Sequence, residues 1–102
     1  VAFGMGGVDV EVFRDVGFGL APLTDRDADD LVRGIRGYPL LTGHRKTPPA
    51  DIDAIRELLL RVSRLAQDIP EISELDLNPV IVRQAGQGLC VVDAGVRIAG
   101  KA

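Results

Sequence analysis

Glu74-Leu75-Asp76-Leu77-Asn78-Pro79-Val80 alternates oxygen-bearing and apolar side chains, and a second apolar run ending in Val91-Val92-Asp93 follows it. Successive side chains of an extended strand point to opposite faces, so Glu74, Asp76 and Asn78 share one face and Leu75, Leu77 and Pro79 the other. Val80-Ile81-Val82 continues the strand, Arg83 to Gly88 reads as a hairpin loop, and Leu89-Cys90-Val91-Val92-Asp93 returns. The return brings Asp93 beside Asn78. Mg2+ takes a near-octahedral set of hard oxygens, usually one or two carboxylates with waters and substrate phosphates, and a carboxylate and an amide on neighbouring strands suit that need. Asp76 lies on the same face, about 7 Å along the strand from Asn78. It reads either as a group that orients metal-bound water or as an exposed strand carboxylate. From the dipeptide alone Asn78 is a turn-forming Asn before Pro, and from spacing alone Asp93 is a solvated strand end.

Val8-Asp9-Val10-Glu11-Val12 alternates as a half-buried strand, Arg14-Asp15 offers a turn, and Val16 to Leu20 returns as a first hairpin. Thr24 with Asp27 three residues on reads as a capping box, followed by Ala28, Leu31, Val32 and Ile35 at helical spacing. Gly37 and Pro39 end that helix, and Leu40 to Ala50 is a linking loop. Asp51 caps a second helix, whose Ile52, Ile55, Leu59, Val62, Ala66 and Ile69 form an apolar stripe that Leu58 and Leu65 widen. Pro70 stops it, and the second hairpin runs from Ile72 to Val96. The order β-β-α-α-β-β predicts an α+β fold, an antiparallel sheet with two helices packed on one face.

With 102 residues, 46% of them hydrophobic, the chain is expected to form one domain with a modest core. A net charge of −3 and few aromatic residues argue against a nucleic-acid partner. No apolar run is long enough for a membrane span and no signal peptide is visible, which suggests a cytoplasmic protein. The single cysteine, Cys90, sits in an apolar strand pattern and is expected to be a buried hydrophobe. The chain starts at Val1 on core-like sequence, which reads as a piece of something longer.

The Asp-x-Asn-Pro strand paired with a returning Val-Asp strand resembles the carboxy-terminal half of an ATP-grasp domain. Within that group it is similar to the NDP-forming acyl-CoA synthetases, which include ADP-forming acetate-CoA ligases and the β chains of succinyl-CoA synthetase. Gly6-Gly7-Val8-Asp9-Val10-Glu11-Val12, Phe18-Gly19-Leu20-Ala21-Pro22-Leu23, Gly37-Tyr38-Pro39-Leu40-Leu41-Thr42-Gly43 and Pro48-Pro49-Ala50-Asp51 extend the resemblance over nearly the whole chain. It implies that residues 1–102 are the carboxy-terminal half of an ATP-grasp domain whose partners are the remaining grasp half and the CoA-binding and ligase domains of a parent chain. It further implies that Asn78 and Asp93 hold Mg2+, that Asp76 assists, and that Gly6, Gly7 and Glu11 lie at the ATP/ADP face. The parent activity implied is acyl-CoA formation from a carboxylic acid and CoA, coupled to ATP/ADP phosphoryl transfer. The chain alone is not expected to turn over. An alternative from the same resemblance is a non-catalytic regulatory or interaction module of an acetyltransferase-fused, synthetase-like protein.

His44 lies in a loop joining two helices, and the resemblance assigns the phosphorylated histidine of these enzymes to another domain. Beside it, Arg45 and Lys46 read as a solvated basic loop. Two departures stand out: Gly95 and Gly19 occupy positions where the family commonly carries a basic residue. Arg97, two residues past Gly95, projects to the same face and is a candidate substitute.

Overall fold

Thr24 fixes where the first long helix starts, because its side-chain oxygen accepts the Asp27 N–H at 3.1 Å and the Asp27 carboxylate accepts the Thr24 N–H at 2.9 Å. This reciprocal cap satisfies two N–H groups that the first turn leaves without partners. In the computed structural model, which describes residues 1–5, 15–43 and 47–99, the elements are β1 (Ala2–Gly4), β2 (Val16–Phe18), α1 (Asp25–Gly34), α2 (Tyr38–Leu41), α3 (Ile52–Asp68), β3 (Ile72–Leu77), β4 (Val80–Val82), β5 (Leu89–Val91) and β6 (Ala94–Ile98). The fold is α+β, with strands before and after the helices as expected; the short α2 adds a helical turn at Leu40 and Leu41, where a loop was expected. The expected strand Val8 to Val12 lies outside the described residues, and β2 pairs antiparallel with β1, Phe3 opposite Gly17. α1 ends at Gly34, where Ile35 turns extended, ahead of the Gly37 and Pro39 expected to stop it; Gly37 instead caps α2 and Pro39 sits in its first turn, where its fixed φ suits a helix start and its missing N–H costs nothing.

Leu23, Ala28, Leu31, Val32, Ile35, Leu41, Ile55 and Leu59 are buried together where α1 and α3 pack, with Val82 and Leu89 of the second hairpin against them. Asp29 on α1 takes ion pairs from Arg33, at 2.8 Å, and from Arg56 across the interface on α3. The hydrogen bonds from Arg56 first, then Arg33, hold the Asp29 carboxyl below its usual value. Ile55, Leu59 and Ser63 are the buried positions of α3, whereas Ala66 and Ile69 of the anticipated stripe are exposed. Length explains this: α3 has 17 residues and α1 only 10, a difference of about 10 Å at the helical rise, so the end of α3 outruns its partner.

Among the described residues the strands form three two-stranded antiparallel ladders: β1 with β2, β3 with β6, and β4 with β5. The last two are one long hairpin interrupted at Asn78-Pro79 and Val92-Asp93. Pro79 has no N–H to offer a ladder. Two bonds bridge the interruption, from Asn78 N–H to the Asp93 carbonyl at 3.1 Å and from Val92 N–H to the Pro79 carbonyl at 3.0 Å. Cys90 corrects an expectation: it is exposed, because β5 has a single partner strand and its outward face meets no other layer.

Candidate metal and phosphate site

The register of β3 against β6 decides which side chains meet. Glu74 lies opposite Arg97, Asp76 opposite Gly95, and Leu77 opposite Ala94, so Asn78 and Asp93 are the next pair, joined by their 3.1 Å backbone bond. Directly opposed residues of an antiparallel pair share a face. Glu74, Asp76 and Asn78 therefore line one face with Asp93, Gly95 and Arg97, and all six are exposed. Leu75 and Leu77, on the other face, are half-buried. Arg97 Nη1 stands 3.7 Å from Glu74 Oε2. Both partners are well exposed, so the pair orients Arg97 more than it stabilises the fold.

The donor set suits a divalent cation of the Mg2+ type. Among the described residues no three His, Cys, Asp or Glu side chains converge as a self-sufficient metal cage. Two carboxylates, Asp76 and Asp93, and the Asn78 amide instead supply a few hard oxygens on an open face. That matches an ion which fills its other positions from waters and substrate phosphates. No ion pair within the described residues engages Asp76 or Asp93.

The two glycine departures differ in space. A Cβ built on Gly95 meets nothing within 4 Å, so the face opposite Asp76 is open. At Gly19 a Cβ would come within 3.0 Å of Leu23 Cδ2 and 3.2 Å of Leu31 Cδ1, so a larger residue there crowds the core. Gly6, Gly7 and Glu11 lie outside the described residues, as do His44, Arg45 and Lys46.

Two supporting contacts were not legible in the sequence. Ser63, buried on α3, accepts the Leu23 N–H at 2.7 Å and ties the segment before α1 to that helix. It follows Leu59 by four positions, and that polar residue on a buried stripe was the available signal. Asp51 was legible as a cap, and its Oδ1 does accept the Ala54 N–H at 3.1 Å, but its Oδ2 also accepts the Gly88 N–H at 2.7 Å. Nothing local marks that second bond.

Residues 1–98 match the ATP-grasp domain family. The chain is 46% identical over 101 residues to the β subunit of an ADP-forming acetate–CoA ligase II from Pyrococcus furiosus, covering 98% of this chain and 43% of that one. It is 56% identical over 86 residues to the ADP-forming acetate–CoA ligase I of Archaeoglobus fulgidus, covering 84% of this chain and 13% of the relative. It thus spans less than half the length of these relatives. Among solved structures, a dinucleotide-forming acetyl-coenzyme A synthetase 1 from Ca. Korarchaeum cryptofilum, in complex with coenzyme A and Mg-AMPPCP, superposes with a TM-score of 0.89 at 46% identity, over 95% of this chain and 45% of that one. A Pyrococcus horikoshii crystal structure superposes at 0.93 with 44% identity, over 98% and 42%. Register, α+β order and these likenesses agree, and the chain belongs to the ATP-grasp domain family, in the segment it shares with ADP-forming acyl-CoA synthetases.

Proposed function

We propose that this chain is the carboxy-terminal half of an ATP-grasp domain and supplies the metal-and-phosphate side of a nucleotide site in an ADP-forming acyl-CoA synthetase. The parent joins a carboxylic acid to CoA at the expense of ATP, or runs the reverse, in the cytoplasm. The observation that carries the reading is the opposition of Asn78 and Asp93 across the hairpin interruption, on a face shared with Asp76 and Arg97. The ligase and synthetase identities of the relatives, and the Mg-AMPPCP held by the Korarchaeum enzyme, support it.

Asn78 and Asp93 would hold Mg2+ with Asp76 beside them, and Gly6, Gly7 and Glu11 would line the nucleotide. When bound, the metal neutralises charge on the phosphates during phosphoryl transfer. The chain's own contribution is positioning. The two bridging backbone bonds keep Asn78 and Asp93 in register, and the half-buried Leu75 and Leu77 turn the carboxylate face outward. Arg97, two residues from the open Gly95 and paired with Glu74 at 3.7 Å, would leave Glu74 to meet a phosphate on this face. The remaining grasp half and the CoA-binding and ligase domains would complete the cleft.

The test is MgADP binding by calorimetry to the full-length protein and to its Asn78→Ala, Asp93→Ala double variant. Magnesium-dependent binding that disappears in the variant supports the site, whereas equal binding by both refutes it.

A further inference from the structure

The β4–β5 arm that leads to Asn78 and Asp93 has little core of its own. Only Val82 and Leu89 pack on the hydrophobic cluster, while Ile81, Cys90 and Val91 are exposed. A two-stranded ribbon is marginal unless it packs on something else. What holds this ribbon is a set of bonds between its turn and the segment before α3. Asp51 N–H donates to the Arg83 carbonyl at 2.8 Å, Ala85 N–H donates to the Pro49 carbonyl at 3.0 Å, and Ala50 bridges Gln84.

Asp51 sits at the centre of these bonds. It is 8% exposed, and none of the ion pairs among the described residues involves it. One carboxylate oxygen accepts the Ala54 N–H of α3 and the other the Gly88 N–H of the turn. Gly86 and Gly88 both have positive φ, at 83° and 79°, so the turn has the left-handed backbone that points the Gly88 N–H inward and that other residues resist. A helix cap needs one acceptor oxygen. Asp51 uses two, on two elements.

We infer that Asp51 is a positioning residue: it locks the β4–β5 turn to the head of α3, and through the ribbon sets where Asn78 and Asp93 stand. Helix α3 is anchored in the core by Ile55 and Leu59, so it provides a fixed post. The ribbon transmits that fixation to its far end through the β4–β5 ladder and the bond from Val92 N–H to the Pro79 carbonyl. The inference rests on the metal reading of Asn78 and Asp93 for its functional consequence, but not for its mechanical one.

The experiment uses Asp51→Asn and Asp51→Ser in the full-length protein. Asn and Ser are good caps, so both keep the start of α3, but neither offers the second acceptor oxygen that Gly88 needs. Amide hydrogen exchange at Gly88, Asn78 and Val92 is followed without metal, and the Mg2+ concentration for half-maximal ADP binding is measured on the same samples. The expected result is faster exchange at all three amides and a half-saturating Mg2+ concentration raised about tenfold, the scale on which residues behind metal ligands act. Exchange and Mg2+ dependence both at wild-type values, or loss of folding in both variants, would make Asp51 a cap or stability residue and overturn the inference. Faster exchange at Gly88 alone, with Asn78 and Val92 unchanged, would overturn it too. If the wild type shows no Mg2+ dependence, the metal reading fails, while the exchange arm still decides whether Asp51 positions the ribbon.

Discussion

Replacing Ser63 by Ala removes one oxygen from a residue that is 2% exposed and leaves the Leu23 N–H, now 2.7 Å from that oxygen, facing an apolar interior. A buried donor without a partner costs about 1–3 kcal/mol. Alanine recovers about 0.5 kcal/mol of helix propensity in α3, and little packing is lost because the Cβ remains. The net expectation is a destabilisation of about 1–2 kcal/mol, a substantial part of the roughly 5–15 kcal/mol that holds a small domain. Urea unfolding of the chain reads this directly. With a slope of about 2 kcal/mol per molar, the midpoint falls by about 0.5–1 M. Arg64→Ala, at the exposed neighbouring position, serves as control and should move stability by no more than about 0.5 kcal/mol. Hydrogen exchange at Leu23 gives a local check, since its amide loses the acceptor that protects it. A Ser63→Ala protein with wild-type stability and a still-protected Leu23 amide would refute the reasoning, because the donor must then have another partner.

Three further outcomes are expected. The Asp27, Asp29 and Asp51 carboxyls are held below the ordinary value of 3.8 by the hydrogen bonds of Thr24, of Arg56 and of the Gly88 N–H respectively. Folded values below unfolded ones mean stability that is fully present above pH 3.8 and lost as pH falls through it towards the folded values, and acid titration of the urea midpoint should show this loss, reduced in Asp51→Asn. Exposed Cys90 should react stoichiometrically with a maleimide in the native chain, and a need for denaturant would contradict its exposure. Gly95→Arg meets no neighbour within 4 Å, so stability should change by no more than about 0.5 kcal/mol while Mg-nucleotide binding to the full-length protein tightens. Weaker binding there would argue that this face does not meet phosphate.

The two long helices were legible because their signals are local: the Thr24–Asp27 box and the Asp51 cap are short motifs whose bonds the structure contains. The Asn78–Asp93 opposition was also legible, since period-2 alternation and a short turn fix hairpin register. Neighbourhood was harder to read. Nothing within residues 52–69 says that α1 is too short to cover Ala66 and Ile69, and an apolar strand pattern does not state whether a second layer covers Cys90. Interruption of the long hairpin into two ladders follows from Pro79, a signal present in the sequence but read only as strand continuation. The bonds of Ser63 to Leu23 and of Asp51 to Gly88 span 40 and 37 positions, beyond any local pattern.

The β3–β6 ladder has one further consequence. Within the described residues β6 is bonded on one side only, so the other side presents a row of unpaired backbone groups. Val96 and Ile98 there are each 57% exposed, and Arg97 is the sole charge in Ala94-Gly95-Val96-Arg97-Ile98. Such a margin is a template onto which another strand can add, and a single long cation is a common natural deterrent. Arg97 therefore bears on self-association as well as on the proposed phosphate contact. A neutral, β-branched replacement at that position should raise the chain's self-association as concentration rises.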